Sequence, residues 1–348
     1  MNEETKPWGP ITATALRMVG LVLVLALALW PMLVRAKADT LTLVPVGRAV
    51  GIKLFSDGVV VVGTSEITTQ NGAVNPAKDC GLREGDIITH INATEVDTIE
   101  EVTALLQELE GETMSIRAIR DDKQVQLTAQ AVLCSADGEY KLGAWIRDSM
   151  AGIGTVTFYS PQTGTFGALG HGINDVDTAL LMPLESGSIL PATVSGVEKG
   201  QSGTPGVLRG VFDADVTLGE LDGNSACGIY GTMTDTSWFD GQAVPVATRD
   251  EVKAGKATIL SNVSGTQVEE YEVEILKVYP DSQEGGRDFL VHVTDPDLLE
   301  TTGGIVQGMS GSPILQNGKI IGAVTHVMVD DPTSGYGIYI GDMLQAAG

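Results

Sequence analysis

Glycine supplies 43 of the 348 residues and cuts the apolar stretches into runs too short for helices. That punctuation constrains the fold more than any other feature. Runs 156–159, 207–212, 228–232, 268–279 and 289–293 are short, β-rich and separated by Gly, Pro, Asp or Asn. Such runs read as strands joined by tight turns, so a mainly β fold is expected, in keeping with only 5% aromatic residues. With 348 residues and 43% hydrophobic content, the chain has room for two compact domains.

Residues 40–133 carry a different pattern. Ala49-Val50-Gly51-Ile52-Lys53-Leu54 resembles a carboxylate-holding loop at the start of a groove strand, and Gly58-Val59-Val60-Val61-Val62-Gly63 supplies a second buried strand, followed by Asn75-Pro76-Ala77 and Gly81-Leu82-Arg83-Glu84-Gly85-Asp86-Ile87-Ile88. Thr98-Ile99-Glu100-Glu101 is a capping box that opens a helix, with Ile99, Val102, Leu105, Leu106 and Leu109 on one face and Gly111 at its end. Residues 113–120 and 124–131 alternate as a hairpin around Asp121-Asp122-Lys123. Together these resemble a protease-associated PDZ domain. The resemblance implies an α+β module in which Val50, Gly51 and Ile52 hold a peptide carboxylate and the helix forms the other groove wall. A peptide or C-terminal tail would bind there by adding a strand.

The N-terminal segment is expected either to cross a membrane or to direct export. Residues 18–34 hold no charge and meet the lower limit of a spanning helix, about 17–25 residues. The expected layout is a tail over 1–17, a transmembrane anchor or signal segment over 18–36, the PDZ domain over 40–133 and a catalytic domain over 139–348. Ala36-Lys37-Ala38 resembles a signal-peptidase site, and a retained anchor is the preferred reading, with the catalytic domain outside the cytoplasm. A net charge of −24 argues against nucleic-acid binding, which needs a basic footprint. Cys80, Cys134 and Cys227 are too scattered for a disulfide framework or a zinc site. No Gly-rich phosphate loop and no H-E-x-x-H metal motif occurs, so neither cofactor nor metal is expected.

Gly308-Met309-Ser310-Gly311-Ser312-Pro313 carries the chemistry. A serine between glycines on a tight turn exposes its oxygen beside backbone N–H donors, which is what a nucleophile and an oxyanion hole require. Ser310 is the candidate nucleophile, and the N–H groups of Gly308 and Ser310 are the candidate oxyanion donors. Of the four histidines, His90, His292 and His326 lie in alternating strand-like runs. His171 stands between Gly170 and Gly172, which expose its ring, and is the candidate general base. The orienting acid stays open between Asp213 or Asp215, some forty residues after His171, and Asp295, fifteen residues before Ser310.

Residues 146–155, 167–171, 302–314, 322–327 and 331–337, in that order, closely resemble the stage IV sporulation protein B peptidases. The resemblance covers nearly the whole chain after the hydrophobic segment. It implies a trypsin-like double β-barrel in which His171 is the base, Asp295 the acid and Ser310 the nucleophile. It further implies a peptidase that acts between the two membranes of a developing endospore, processes itself and cleaves a membrane regulator so that pro-sigma-K is activated. Two rival readings are a quality-control protease, in which the PDZ domain would follow the catalytic domain, and a catalytically silent PDZ scaffold.

Overall fold

The computed structural model describes residues 41–239, 241–279 and 286–348. The expected tail 1–17 and anchor 18–36 lie outside the described residues, among which no helix is long and apolar enough to cross a membrane. In chain order come β1 (Thr42–Pro45), β2 (Ala49–Thr64), α1 (Pro76–Cys80), β3 (Ile87–Ile91), α2 (Ile99–Glu108), β4 (Thr113–Arg120) and β5 (Lys123–Gln130). Next are β6 (Ala144–Tyr159), β7 (Thr165–Ala168), β8 (Ser186–Glu198), β9 (Val207–Phe212), β10 (Gly219–Ser225) and β11 (Gly228–Met233). Last come β12 (Gly255–Ser264), β13 (Gln267–Val278), β14 (Phe289–Val293), α3 (Pro296–Thr302), β15 (Pro313–Gln316), β16 (Lys319–Met328), β17 (Asp331–Tyr339) and α4 (Ile340–Ala347).

These strands build the expected double barrel. In the first, antiparallel pairing runs β2–β6–β7–β11–β10–β8 and returns to β2, so the ring closes. The second is a closed six-stranded barrel in the order β12–β13–β14–β17–β16–β15. Alternation explains its walls: along β13, Tyr271, Val273 and Ile275 turn inward while Glu270, Glu272 and Glu274 stay exposed. Phe289, Val291, Val293, Ile314 and Val324 complete that core.

The PDZ module has the expected local parts. Thr98 Oγ1 accepts the Glu101 N–H at 3.2 Å while the Glu101 carboxylate accepts the Thr98 N–H at 3.1 Å, so the capping box forms. Asp121 and Asp122 have φ of 49° and 58°, a two-residue turn of left-handed residues suited to the twist of the β4–β5 hairpin. Val102 and Leu106 of α2 pack onto Val59, Val61, Ile88 and Met114.

The expected boundary of this module is corrected. Both β2 and β6 are 16 residues long because each serves two structures. Residues 49–55 of β2 pair with 149–155 of β6 inside the barrel, whereas residues 60–64 pair with 144–147 inside the PDZ sheet. The register breaks between Arg147 and Ser149, opposite Ser56-Asp57-Gly58, where Gly58 takes φ +83°. The PDZ module is therefore an insertion between two barrel strands and does not precede the peptidase domain as residues 40–133.

Val50, Gly51 and Ile52 are corrected with it. They lie in the barrel wall, where Gly51 has Ile153 of β6 on one side and Leu190 of β8 on the other. With both backbone edges paired in the sheet, these residues leave no row of free N–H groups for a carboxylate. A glycine among apolar residues serves a carboxylate loop and a crowded strand equally well in sequence; here a Cβ at Gly51 would stand 2.5 Å from Phe212 Cβ. A separate cavity of the module lies between α2 and residues 144–146 of β6. It holds about 480 Å³ and is lined by Ile67, Ile99, Val102, Leu106, Trp145 and Ile146 among others.

Candidate active site

Helix α3 delivers the chain to the serine turn. It ends at Gly303, in the left-handed region with φ 74°, and Ile305 N–H then bonds Pro332 O at 2.7 Å. Around the turn, the N–H groups of Gln307, Met309, Gly311 and Ser312 bond the carbonyls of Gly206, Val306, Val324 and Met309 at 2.8–3.1 Å. Those of Gly308 and Ser310 have no partner among the described residues, which leaves them free for an oxyanion. The turn needs its glycines: Gly308 and Gly311 both hold φ +98°, and a Cβ on Gly311 would run into Thr155 O.

His171 sits on the loop after β7. Leu169 there has φ 69°, a left-handed conformation that costs a bulky residue about 1–3 kcal/mol. Nδ1 of His171 is 2.8 Å from Gly172 O. A carbonyl can only accept, so Nδ1 carries the proton and Nε2 keeps the lone pair that a base needs. Burial pulls the imidazole below its ordinary pKa, against the Gly172 carbonyl, which favours the charged form.

His171 and Ser310 line one cleft of about 540 Å³ together with Gly308, Thr325 and His326. Ser310 Oγ donates to Thr325 O at 2.6 Å and not to the imidazole. His326 was expected to be a strand-face residue, yet its ring centroid lies 5.1 Å from that of His171. Burial, then the His171 and Arg287 charges, push its pKa down to about 4. Strand alternation hides such a residue; only its place beside Thr325 in the motif 322–327 hinted at it. His90 lies on β3 in the PDZ sheet, and His292 Nδ1 meets Ser334 Oγ at 3.1 Å on β14.

None of the candidate acids reaches His171. Asp295 is the N-cap of α3: Oδ1 accepts from the N–H groups of Asp297 and Leu298, both at 3.0 Å, and Oδ2 from Glu272 N–H at 3.2 Å. With its oxygens turned to the backbone of α3 and β13, Asp295 makes no hydrogen bond to the imidazole, a correction to the role the resemblance implied. Asp213 and Asp215 are exposed after β9, where Asp213 Oδ1 accepts the Asp215 N–H at 3.1 Å. The group at Nδ1 is the Gly172 carbonyl.

The nearest buried carboxylate on the histidine loop is Asp175. It pairs with Arg147 of β6 and accepts the N–H groups of Asp177 and Thr178 at 3.0 and 2.8 Å. It braces the loop, and its hydrogen bonds go to Arg147, Asp177 and Thr178 and not to the ring. The cleft is lined by Ile52, Met150, Ile153, Ile173, Val306 and Val327 among others, and no described Asp, Glu, Lys or Arg lines it. Among the described residues no group of three or more His, Cys, Asp or Glu gathers that could hold a metal.

Residues 138–344 match the family described as SpoIVB peptidase S55, and residues 74–120 match a PDZ domain family. A curated relative, the zinc metalloprotease RasP of Shouchella clausii (strain KSM-K16), is 38% identical over 79 residues, which are 23% of this chain and 18% of that protein. The chain thus spans less than a fifth of that relative's length. Among solved structures, the Rv3671c protease from M. tuberculosis in its active form is 15% identical, with 70% of this chain and 82% of that one covered and a TM-score of 0.31. The thermostable serine protease AL20 from an extremophilic microorganism is 14% identical, with 57% and 88% covered and a TM-score of 0.34. The family match takes in the histidine loop, the serine turn and nearly all of the second barrel, and the chain belongs to the SpoIVB peptidase S55 family, as a serine endopeptidase that carries a PDZ module.

Proposed function

We propose that Ser310 and His171 form the catalytic pair and that the Gly172 carbonyl takes the orienting place usually filled by a carboxylate. Ser310 Oγ leaves Thr325 O, passes its proton to His171 Nε2 and attacks the substrate carbonyl. The oxyanion is held by the N–H groups of Gly308 and Ser310. His171 then protonates the leaving amine, and a water deprotonated by the same nitrogen hydrolyses the acyl-enzyme. The observation that carries this reading is the shared cleft of His171 and Ser310, lined also by Gly308; the N–H groups of Gly308 and Ser310 have no partner among the described residues. The uncharged lining suits an apolar peptide segment.

The biological setting follows from the family resemblance: a membrane-tethered peptidase, its catalytic domain outside the cytoplasm, that cleaves itself and a membrane regulator during endospore formation and so signals pro-sigma-K processing. The PDZ module presents a peptide or tail to the barrel. The test is complementation of a spore-former lacking its own copy. Wild type restores pro-sigma-K maturation and Ser310→Ala does not; maturation with the Ala variant overturns the assignment.

A further inference from the structure

We infer that Thr155, on β6, is a positioning residue that holds the oxyanion turn in its working geometry; the inference rests on the serine-peptidase reading above. Thr155 is 1% exposed and touches the turn twice. Its Oγ1–H donates to Gly308 O at 2.7 Å, and its N–H donates to Ser310 O at 3.1 Å. On the other side its own carbonyl accepts the Leu169 N–H at 3.1 Å, two residues before His171. One residue thus grips both the nucleophile turn and the base loop.

The peptide group joining Gly308 to Met309 lies between the two oxyanion donors. Because a peptide is planar, its carbonyl and N–H turn together. Its N–H is held by Val306 O at 3.1 Å and its carbonyl by the Thr155 hydroxyl. Gly308, at φ +98°, has no Cβ to resist a swing of this plane, so the hydroxyl supplies the restraint that the backbone lacks. A swing changes ψ of Gly308 and φ of Met309, two of the torsions that set the neighbouring peptide planes, which carry the Gly308 and Ser310 N–H groups, relative to one another. The hydroxyl bond matters most where the oxyanion charge forms, so its loss appears in kcat and leaves KM nearly unchanged.

The test compares Thr155→Val, which keeps the shape and loses the donor, with Thr155→Ser, which keeps the donor. The substrate is a p-nitrophenyl ester of an N-acylated apolar amino acid, and active sites are counted by burst titration so that kcat refers to folded, competent enzyme. Thr155→Val is expected to lose roughly 10- to 100-fold in kcat, less than the 10²–10³ for deleting an oxyanion donor outright, with KM within about twofold. Thr155→Ser restores kcat. If Thr155→Val does not fold, Thr155→Cys, which has the shape of the Ser variant but only a weak donor, takes its place with the same expectation. Unchanged kcat per titrated site in the Val or Cys variant, or equal loss in the Ser variant, overturns the role of Thr155. A wild-type enzyme that a fluorophosphonate does not label at Ser310 overturns instead the reading on which it rests.

Discussion

Replacing Asp295 separates a structural carboxylate from a catalytic one. In this fold its oxygens accept three backbone N–H groups, two of them exposed. Loss of an N-cap costs about 0.5–2 kcal/mol, and loss of a further hydrogen bond about 1 kcal/mol. Exposure lets water take over part of this, so Asp295→Ala is expected to lose about 1–2 kcal/mol of stability. Asp295→Asn keeps an oxygen for Asp297 and Leu298 and turns an NH₂ toward the Glu272 N–H, a loss of about 1 kcal/mol at most. Neither change touches the imidazole, so kcat per titrated active site should stay within about threefold of wild type. A triad acid behaves differently: the Asp-to-Asn change in the serine-protease template lowers turnover about 10⁴-fold, or about 5.4 kcal/mol at 1.36 kcal/mol per decade. Urea unfolding gives the stabilities and burst-titrated ester hydrolysis gives kcat. An Asn variant that unfolds at the wild-type midpoint yet turns over a thousandfold more slowly would refute the cap-only role and return Asp295 to the triad.

Other consequences concern pH, the cavity of the module and the brace on the histidine loop. Because burial lowers the His171 pKa, the neutral base persists below the ordinary value of about 6.5. The acid limb of kcat/KM is therefore centred below about 6.5, with activity lost as pH falls through the depressed value; a limb centred at or above about 6.5 contradicts the assignment. Gly51→Glu forces a side chain into Phe212 between two paired strands and should abolish folding, seen as loss of the cooperative urea transition. Thr103→Arg, on the face of α2 that lines this cavity, should leave ester hydrolysis intact while weakening capture of peptides by the module; equal loss of both argues against a separate binding role. Arg147→Ala strips the buried Asp175 of its counter-charge and should cost about 2–3 kcal/mol, below the 3–5 of a fully buried pair because Arg147 is partly exposed. For Asp175, burial pushes the pKa up but the Thr178 and Asp177 donors and Arg147 outweigh it, so the folded value is depressed. Its stabilisation is present above the unfolded carboxylate value of about 3.9 and fades as pH falls through the folded one. The wild-type advantage over Arg147→Ala should shrink only there, and an advantage that shrinks near neutral pH points to another group.

What could be read in advance was local. Gly308 and Gly311 mark a turn whose backbone angles exclude side chains, and the serine between them follows from that geometry. His171 stood apart because glycines flank it. The Thr98–Glu101 capping box and the Asp121-Asp122 turn are satisfied within a few residues of themselves. The failures were long-range. Nothing near Val50-Gly51-Ile52 tells whether its strand partners lie in a PDZ sheet or a barrel, because those partners are 100 to 140 residues away. Asp295 precedes a proline and a short helix, the pattern of an N-cap, and only the folded chain shows its oxygens turned to the α3 and β13 backbone. His326 and Thr155 sit on strands whose alternation looks structural, and their closeness to the site depends on loops that reach them from other parts of the chain.

The central claim, a serine peptidase site built from Ser310 and His171, is tested most directly by mapping where a fluorophosphonate attaches. The full-length protein is treated with the reagent, digested and sequenced by mass spectrometry. The expected adduct is on Ser310 alone, absent in Ser310→Ala and slowed by more than about 10³-fold in His171→Ala, with Asp295→Asn labelled at close to the wild-type rate. Labelling at another serine, or labelling of Ser310 at the same rate without His171, would contradict it.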